Sequence, residues 1–369
     1  MTKVIPRPVR VGLVGCGNVS RQYLRNVLNS DELTVITCAD INDANATAVA
    51  SEFGLRKAKT VDELLNDPDV DLVLNLTLPT THADVTLRAL AAGKHVYTEK
   101  PLAATLENAK EIIEGARQRG LQVGSAPDTF LGVGQRACAE LVQSGVIGRP
   151  VSVNAFMMNA GPERFHPNPD FLYRIGAGPL LDIGPYYLTT LVAMFGAISR
   201  VGGLSAMPRT ERVVQVGERA GAHIEVDTPT HVAGLLLFAN GVVCTLVTSF
   251  DVLGTRTPSM EIHGLEGSIL APPANSWAGP VLVKKNTDAD FVEVAIPESE
   301  VEGFMGMGLI DMAASLRAGR IPAAMGARAL HVLEVMAAIL ESGARGGAFT
   351  DIASPDQDLS LTQKSRGTA

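Results

Sequence analysis

The chain has 369 residues, 46% of them hydrophobic and 19% charged, and a formal net charge of −8. A single hydrophobic core stops growing short of that length, so two domains are expected. The acidic balance, without a Lys or Arg cluster, speaks against a nucleic-acid partner, and no apolar run reaches bilayer length, so no membrane partner is expected either.

Met1 to Arg10 include Pro6 and Pro8 and lack an apolar signal core, which gives a cytoplasmic expectation. From Val9 to about Ala126, short β-rich runs alternate with helical patterns, as βαβ units around a parallel sheet do. Val9 to Val14 is a continuous apolar strand, followed by Val19, Tyr23, Leu24, Val27 and Leu28 at helical spacing. Leu33 to Ala39 is the next strand; Thr60 and Glu63 form a capping-box pattern, and Asp71 to Leu76 reads as a buried strand. His82 to Ala92 is helical and ends at Gly93, and His95 to Thr98 is a strand. Thr105 to Arg119 is a helix closed by Gly120, and Gln122 to Ser125 is a strand.

After Phe130 the pattern changes to a helix ending near Ser144, a strand at Val151 to Met157, a polar proline-rich stretch and a helix from Asp182. Strands without intervening helices follow, and Asn240-Gly241 is a hairpin signal between Leu235 to Phe238 and Val242 to Phe250. Helices at Met305 to Arg317 and Arg328 to Ser342 come last, with a polar tail after Ser354 that reads as frayed. The expected fold class is α/β: an N-terminal Rossmann domain over residues 1–127, and a C-terminal α+β domain over 128–369 with a large, mainly antiparallel open sheet.

Gly15-Cys16-Gly17-Asn18-Val19-Ser20 directly follows the first strand and opens the first helix. Two glycines let the backbone turn sharply and approach a pyrophosphate, and the helix N-terminus supplies amide donors. Ser20 replaces the third glycine, which weakens the pattern. Asp40, ending the second strand, can accept from both ribose hydroxyls and favours NAD over NADP; the lesser alternative is a loop or capping residue. Cys16, Cys38, Cys138 and Cys244 are widely spaced and show no CxxC, so they read as core hydrophobes. The seven histidines show no metal-binding spacing, and no metal site is expected.

Glu99-Lys100-Pro101 ends the strand His95 to Thr98, at the sheet edge where ligands of open α/β sheets sit. An ammonium there can polarise a carbonyl or stabilise an alkoxide. Together with the glycine loop and Asp40, the run Thr77-Leu78-Pro79-Thr80-Thr81-His82, this Glu-Lys-Pro, and Gly178-Pro179-Leu180-Leu181-Asp182-Ile183-Gly184-Pro185-Tyr186-Tyr187 give the chain a resemblance. Over nearly its whole length it resembles the glucose-fructose oxidoreductase, inositol dehydrogenase and rhizopine-catabolism superfamily, Gfo/Idh/MocA.

The resemblance implies that Glu99 contacts the nicotinamide ribose, that Lys100 bridges cofactor and substrate, and that Asn75 and the Thr77 to Thr80 turn, with Pro79 and His82, line the cofactor cleft. Asp182 matches the family's aspartate, which usually heads an Asp-x-Gly-x-His pattern; here the histidine position is Tyr186. Tyrosine ionises near pH ~10 and needs a neighbouring cation such as Lys100 to serve as a base. Asp182 is alternatively a helix N-cap, and Tyr186 a packing aromatic. His166, in the run His166-Pro167-Asn168-Pro169, is a candidate substrate ligand or alternative base, or a plain loop histidine.

The expected function is NAD-dependent interconversion of a secondary alcohol and a ketone on a sugar, sugar acid or cyclic polyol, with NADP as an alternative cofactor. A sugar-processing enzyme that recycles a tightly bound NAD, and a non-catalytic dinucleotide-binding regulator, are the rivals. A homodimer or homotetramer is expected, because a sheet with helices on one face leaves the other to be covered.

Overall fold

The computed structural model describes residues 4–296, 303–353 and 359–361. The chain divides into two compact units, Met1–Leu131 with Gly303–Leu333, and Gly132–Glu302 with Glu334–Ala369.

The first unit is built on six parallel strands in the spatial order Arg56–Lys57, Leu33–Ala39, Val9–Val14, Leu72–Asn75, His95–Thr98 and Val123–Ser125. In chain order this is 3-2-1-4-5-6, the doubly wound arrangement whose direction reverses beside the first strand. Its central strands are buried along almost their whole length, as strands of a parallel sheet covered on both faces are. The helix signals act as expected. Thr105 accepts from the Asn108 N–H, and Gly120 closes the helix Leu106–Arg119 at φ +64°. Thr60 accepts from the Glu63 N–H, and the Glu63 carboxylate reaches back to the Lys59 N–H, one residue short of the usual capping box.

The two contiguous domains expected from the sequence, divided at 127/128, give way here to a first unit completed by a returning segment. Asp128 is buried and accepts at one oxygen from the N–H groups of Gly306 (2.8 Å) and Gly308 (3.1 Å), ahead of and within the helix Met307–Ala318. A Cβ on Gly308 would lie 2.2 Å from the Tyr97 hydroxyl oxygen, so only glycine lets this turn approach the sheet. Farther on, the Ser125 N–H donates to the Ala324 carbonyl. No local pattern announces pairings across ~180 residues, which is why the sequence assigned this segment to the wrong unit.

The second unit holds a nine-stranded sheet in the order Val292–Glu293, Leu282–Lys285, Gly267–Ala271, Met260–Gly264, Pro150–Met158, Val243–Ser249, His231–Phe238, Ile198–Ala206 and Thr350–Asp351. All neighbours are antiparallel except Pro150–Met158 and Val243–Ser249, which run parallel. The Asn240-Gly241 hairpin forms, with Gly241 at φ +90° and the Asn240 side chain accepting from the Val242 N–H. Val232, Leu236, Cys244 and Leu246 point to the buried face, against which the helix Pro179–Phe195 packs, while Leu235, Leu237 and Val243 are exposed on the other.

That helix begins at Pro179 with Gly178 as its N-cap, so Asp182 lies a turn inside it and is not a cap. Its backbone N–H is already bonded to the Gly178 carbonyl. A separate two-stranded ribbon, Glu211–Val213 with His223–Glu225, was not foreseen. Most of the polar tail after Ser354 lies outside the described residues. Among the described residues no helix is long and apolar enough to cross a membrane.

Burial pushes the Asp128 carboxyl up from 3.8 to about 6, against the pull of the Gly308 and Gly306 N–H groups and with help from the Glu99 charge. Between those values the folded chain binds more protons than the unfolded one, so the contribution of Asp128 to stability is complete below about 3.8 and lost above about 6. The unfolding free energy of the wild type minus that of Asp128→Asn is therefore expected to fall by about 3 kcal/mol across this window. Urea titrations of both proteins at a series of pH values read this directly, and a pH-independent difference would refute the burial assigned to Asp128.

Candidate active site

At the carboxyl edge of the first unit's sheet, three of four neighbouring strands end directly before a residue the sequence singled out, and the fourth ends two places before one. Gly15 follows Val9–Val14, Asp40 follows Leu33–Ala39, Glu99 follows His95–Thr98, and Thr77 stands two places after Leu72–Asn75. A cleft of about 750 Å³ runs along this edge, lined by Gly15, Gly17, Asp40, Thr77 and Lys59 among others. Gly15 has φ +98°, and a Cβ there would strike the Leu76 carbonyl at 2.6 Å; above Gly17 a Cβ would meet nothing. The helix Asn18–Val27 has no side-chain cap at Gly17, so its first amides remain available to an anion. These features fit a dinucleotide pyrophosphate. Asn18, Val19 and Pro79 are exposed nearby but are not part of the lining.

The Asp40 carboxylate is fixed at the cleft wall by the N–H groups of Cys16 (2.6 Å) and Asn42 (2.7 Å). Beneath the cleft lies a buried polar frame. The Asn75 carbonyl oxygen accepts from the Thr77 hydroxyl (2.7 Å) and N–H (3.3 Å), while its amide donates to the His82 carbonyl (3.1 Å) and the Thr86 hydroxyl (3.2 Å). His82 is wholly buried, its ring nitrogens facing the carbonyls of Pro101 (2.7 Å) and Thr77 (3.0 Å). Burial holds its pKa below the ordinary histidine value although both carbonyls pull the other way. Asn75 and His82 thus support the cleft from below instead of lining it. Glu99 accepts from the Tyr23 hydroxyl (2.8 Å) at one oxygen and from the Lys100 N–H (2.8 Å) at the other, which pins the backbone that carries the half-buried Lys100.

In the second unit, a cavity of about 540 Å³ is lined by Asp182, Ile183, Tyr187, His166, Phe165 and Phe171 with further polar groups. Asp182 and Tyr186 are a turn apart on one helix face, both half-buried. It is Tyr187, however, that reaches the cavity wall, its hydroxyl donating to the Phe156 carbonyl at 3.4 Å and pushed up to about 12 by burial. His166 stacks edge-on with Phe171 (5.5 Å), and its Nδ1 accepts from the Asn168 N–H at 3.0 Å. The neutral ring therefore carries its proton at Nε2.

The loop bearing His166 and Phe171 is clamped by the unforeseen ribbon. Arg212, almost fully buried, donates to Glu163 (3.1 Å) and Asp251, and Glu163 also accepts from Tyr173. The Gln215 N–H donates to the Glu163 carbonyl (2.8 Å), and Arg219 pairs with Asp170 (2.9 Å). Among the described residues no group of three or more His, Cys, Asp or Glu could hold a metal ion.

Residues 9–126 match the model of an oxidoreductase family with an NAD-binding Rossmann fold, and residues 135–270 match the GFO/IDH/MocA C-terminal domain. The chain is 30% identical over 262 residues to 1,5-anhydro-D-fructose reductase of Ensifer adhaerens, spanning 71% of this chain and 75% of that protein. The chain belongs to the Gfo/Idh/MocA oxidoreductase family. It is also 32% identical over 237 residues to dTDP-3,4-didehydro-2,6-dideoxy-alpha-D-glucose 3-reductase of Streptomyces violaceoruber, spanning 63% of this chain and 67% of that protein. A solved levoglucosan dehydrogenase shares the fold at a TM-score of 0.79 and 22% identity, over 94% of this chain and 99% of that one.

For a Gfo/Idh/MocA chain the sequence showed the groups that stand at strand ends but not the frame behind them. Tyr23 was read only as a core position, and its bond to Glu99 spans 76 positions. Arg212 and Glu163 carried no motif, and Tyr187 was passed over for its neighbour. Asn75→Ala is expected to cost about 2–3 kcal/mol by leaving the Thr77 and His82 groups unpaired, and to weaken NAD binding by tenfold or more. Thermal melts and fluorescence titration with NADH measure the two effects; unchanged NADH affinity would show that the frame does not shape the cleft.

Proposed function

We propose that the chain is an NAD-dependent dehydrogenase or reductase that interconverts a secondary alcohol and a ketone on a sugar or cyclic polyol. The observation that carries this reading is the glycine-lined cleft bearing Asp40 at the same sheet edge as the anchored Glu99–Lys100 turn. The names of the relatives, which act on sugar ketones or anhydro sugars, support the substrate class. Nicotinamide, when bound, supplies the hydride acceptor or donor. The fixed Asp40 carboxylate favours the free ribose hydroxyls of NAD, while Lys59 on the same lining supports some use of NADP.

The Lys100 ammonium stabilises the oxyanion of the reacting C–O group, and Asp182 orients the substrate hydroxyl. Tyr186 and His166 are the two candidates for the proton. With Nδ1 of His166 taken by the Asn168 N–H, its Nε2 is a donor, and accepting a proton there would set two N–H groups against each other. That leaves Tyr186 as the proposed proton acceptor in oxidation and makes His166 a hydrogen-bond donor to the substrate.

Absorbance at 340 nm during a screen of sugars and inositols with NAD, and separately NADP, tests the reading. Lys100→Met and Tyr186→Phe are each expected to lower kcat at least about 100-fold, and His166→Asn about tenfold. Asp40→Ala is expected to weaken NAD about tenfold and to narrow the preference over NADP. Product formation without NADH accumulation would replace this reading with internal cofactor recycling.

The outer face of the nine-stranded sheet exposes Leu204, Leu235, Leu237 and Val243 on adjacent strands, which supports a second copy of the chain as its cover. Light scattering is expected to give a dimer or tetramer, and Leu235→Lys with Leu237→Lys to give a folded, smaller species. A monomeric wild type would refute the assembly.

A further inference from the structure

The described lining of the second-unit cavity contains no lysine or arginine. Its hydrogen-bonding groups include Asn159, Thr255, Thr257, Ser259 and Asn275, all uncharged, and its one carboxylate is Asp182. Three arginines stand on or beside the clamp of the neighbouring loop, and each is committed to acids. Arg212 serves Glu163 and Asp251, Arg219 serves Asp170 at 2.9 Å, and Arg174 serves Asp227 at 2.7 Å and Glu225 at 3.3 Å. These three guanidinium groups are engaged by five carboxylates, and the exposed Arg164 and Arg256 nearby are not among the lining residues. A carboxylate or phosphate on a substrate would lose water here without gaining a counter-charge, which strongly disfavours it.

The rim points the same way. Phe165 and Phe171, both on the cavity lining, are 67% and 60% exposed. Ring hydroxyls alone gain little by covering two phenyl groups, whereas an alkyl or aryl group does so favourably. We infer that the substrate is a neutral glycoside with an apolar aglycone, as opposed to a sugar acid, a sugar phosphate or a nucleotide sugar. Its ring hydroxyls meet the asparagine, threonine and serine groups, and its aglycone covers Phe165 and Phe171. This assignment rests on the reading that a sugar is oxidised at this cavity, and it adds the charge and substituents of that sugar.

Full-length protein saturated with NADH is titrated calorimetrically with matched glucose and galactose series: the methyl and phenyl β-glycosides, the uronic acids and the 6-phosphates. Turnover of each with NAD is followed in parallel at 340 nm. The phenyl glycoside of the preferred ring is expected to bind about tenfold tighter than the methyl glycoside, and the methyl glycoside at least about tenfold tighter than either anion. Phe165→Ala and Phe171→Ala are expected to remove most of the phenyl advantage, read in each variant as the ratio of phenyl to methyl glycoside affinity. An anion that binds as well as the methyl glycoside, a phenyl glycoside no better than the methyl, or no binding by any sugar would overturn the assignment. The expected binding order without hydride transfer leaves the substrate class standing and overturns the oxidoreductase reading. Efficient turnover of a uronate or phosphate does the reverse.

Discussion

The carboxamide of Asn75, wholly buried at the end of a central strand, is the joint on which the cofactor cleft depends. An amide has donors on one side and an acceptor on the other, so Asn75 bonds two turns at once: Thr77 through its oxygen, His82 through its nitrogen. His82 then extends the chain of bonds to the Pro101 carbonyl, just beyond Lys100. Glu99 completes the frame from the other side, taking the Lys100 N–H and the Tyr23 hydroxyl. Asn75, His82 and Tyr23 are shielded from water, so an unmade bond there costs more than a surface one. The position of Lys100 is therefore set by buried bonds as much as by the strand it follows.

The second unit uses the same physics with charge in place of amides. Arg212 is a guanidinium removed from water, tolerable because its planar donors meet Glu163 and Asp251. Removing one partner would leave the other buried and uncompensated, so the ribbon and the loop it clamps are held to one arrangement. The cost of that specificity falls on the cavity's electrostatics: arginines that hold carboxylates of the fold are not available to carboxylates of a ligand.

What the sequence revealed and what it concealed divide along distance in the chain. Strand and helix ends were legible because their causes are local: Thr105 and Gly120 cap a helix by themselves, and Asn240-Gly241 makes a hairpin with its immediate neighbours. Gly15, Asp40 and Lys100 were legible because a parallel sheet brings residues after successive strands to one edge, whatever lies between them. Asp182 misled as a helix start because Gly178-Pro179 opens the helix earlier, with Pro at the first position where its missing N–H costs nothing. The Arg212 clamp and the Tyr23–Glu99 bond stayed hidden because they join residues 39 to 76 positions apart with no periodicity to mark them.

The returning segment bears on how the first unit holds together. A chain ending at Leu131 would retain every strand of the parallel sheet yet lose the Gly306 and Gly308 amides that satisfy Asp128, and the backbone packed on Tyr97. It would also lose the partner of the Ser125 N–H at the edge strand. Asp128 is ionised in the neutral-pH fold at a cost that two N–H donors only partly offset, so without them its charge has to reach water by opening the adjacent structure. The nucleotide-binding unit is thus continuous in space but not in sequence. Its edge and the buried Asp128 carboxylate are completed by residues that follow the whole nine-stranded sheet, except its final short strand, along the chain.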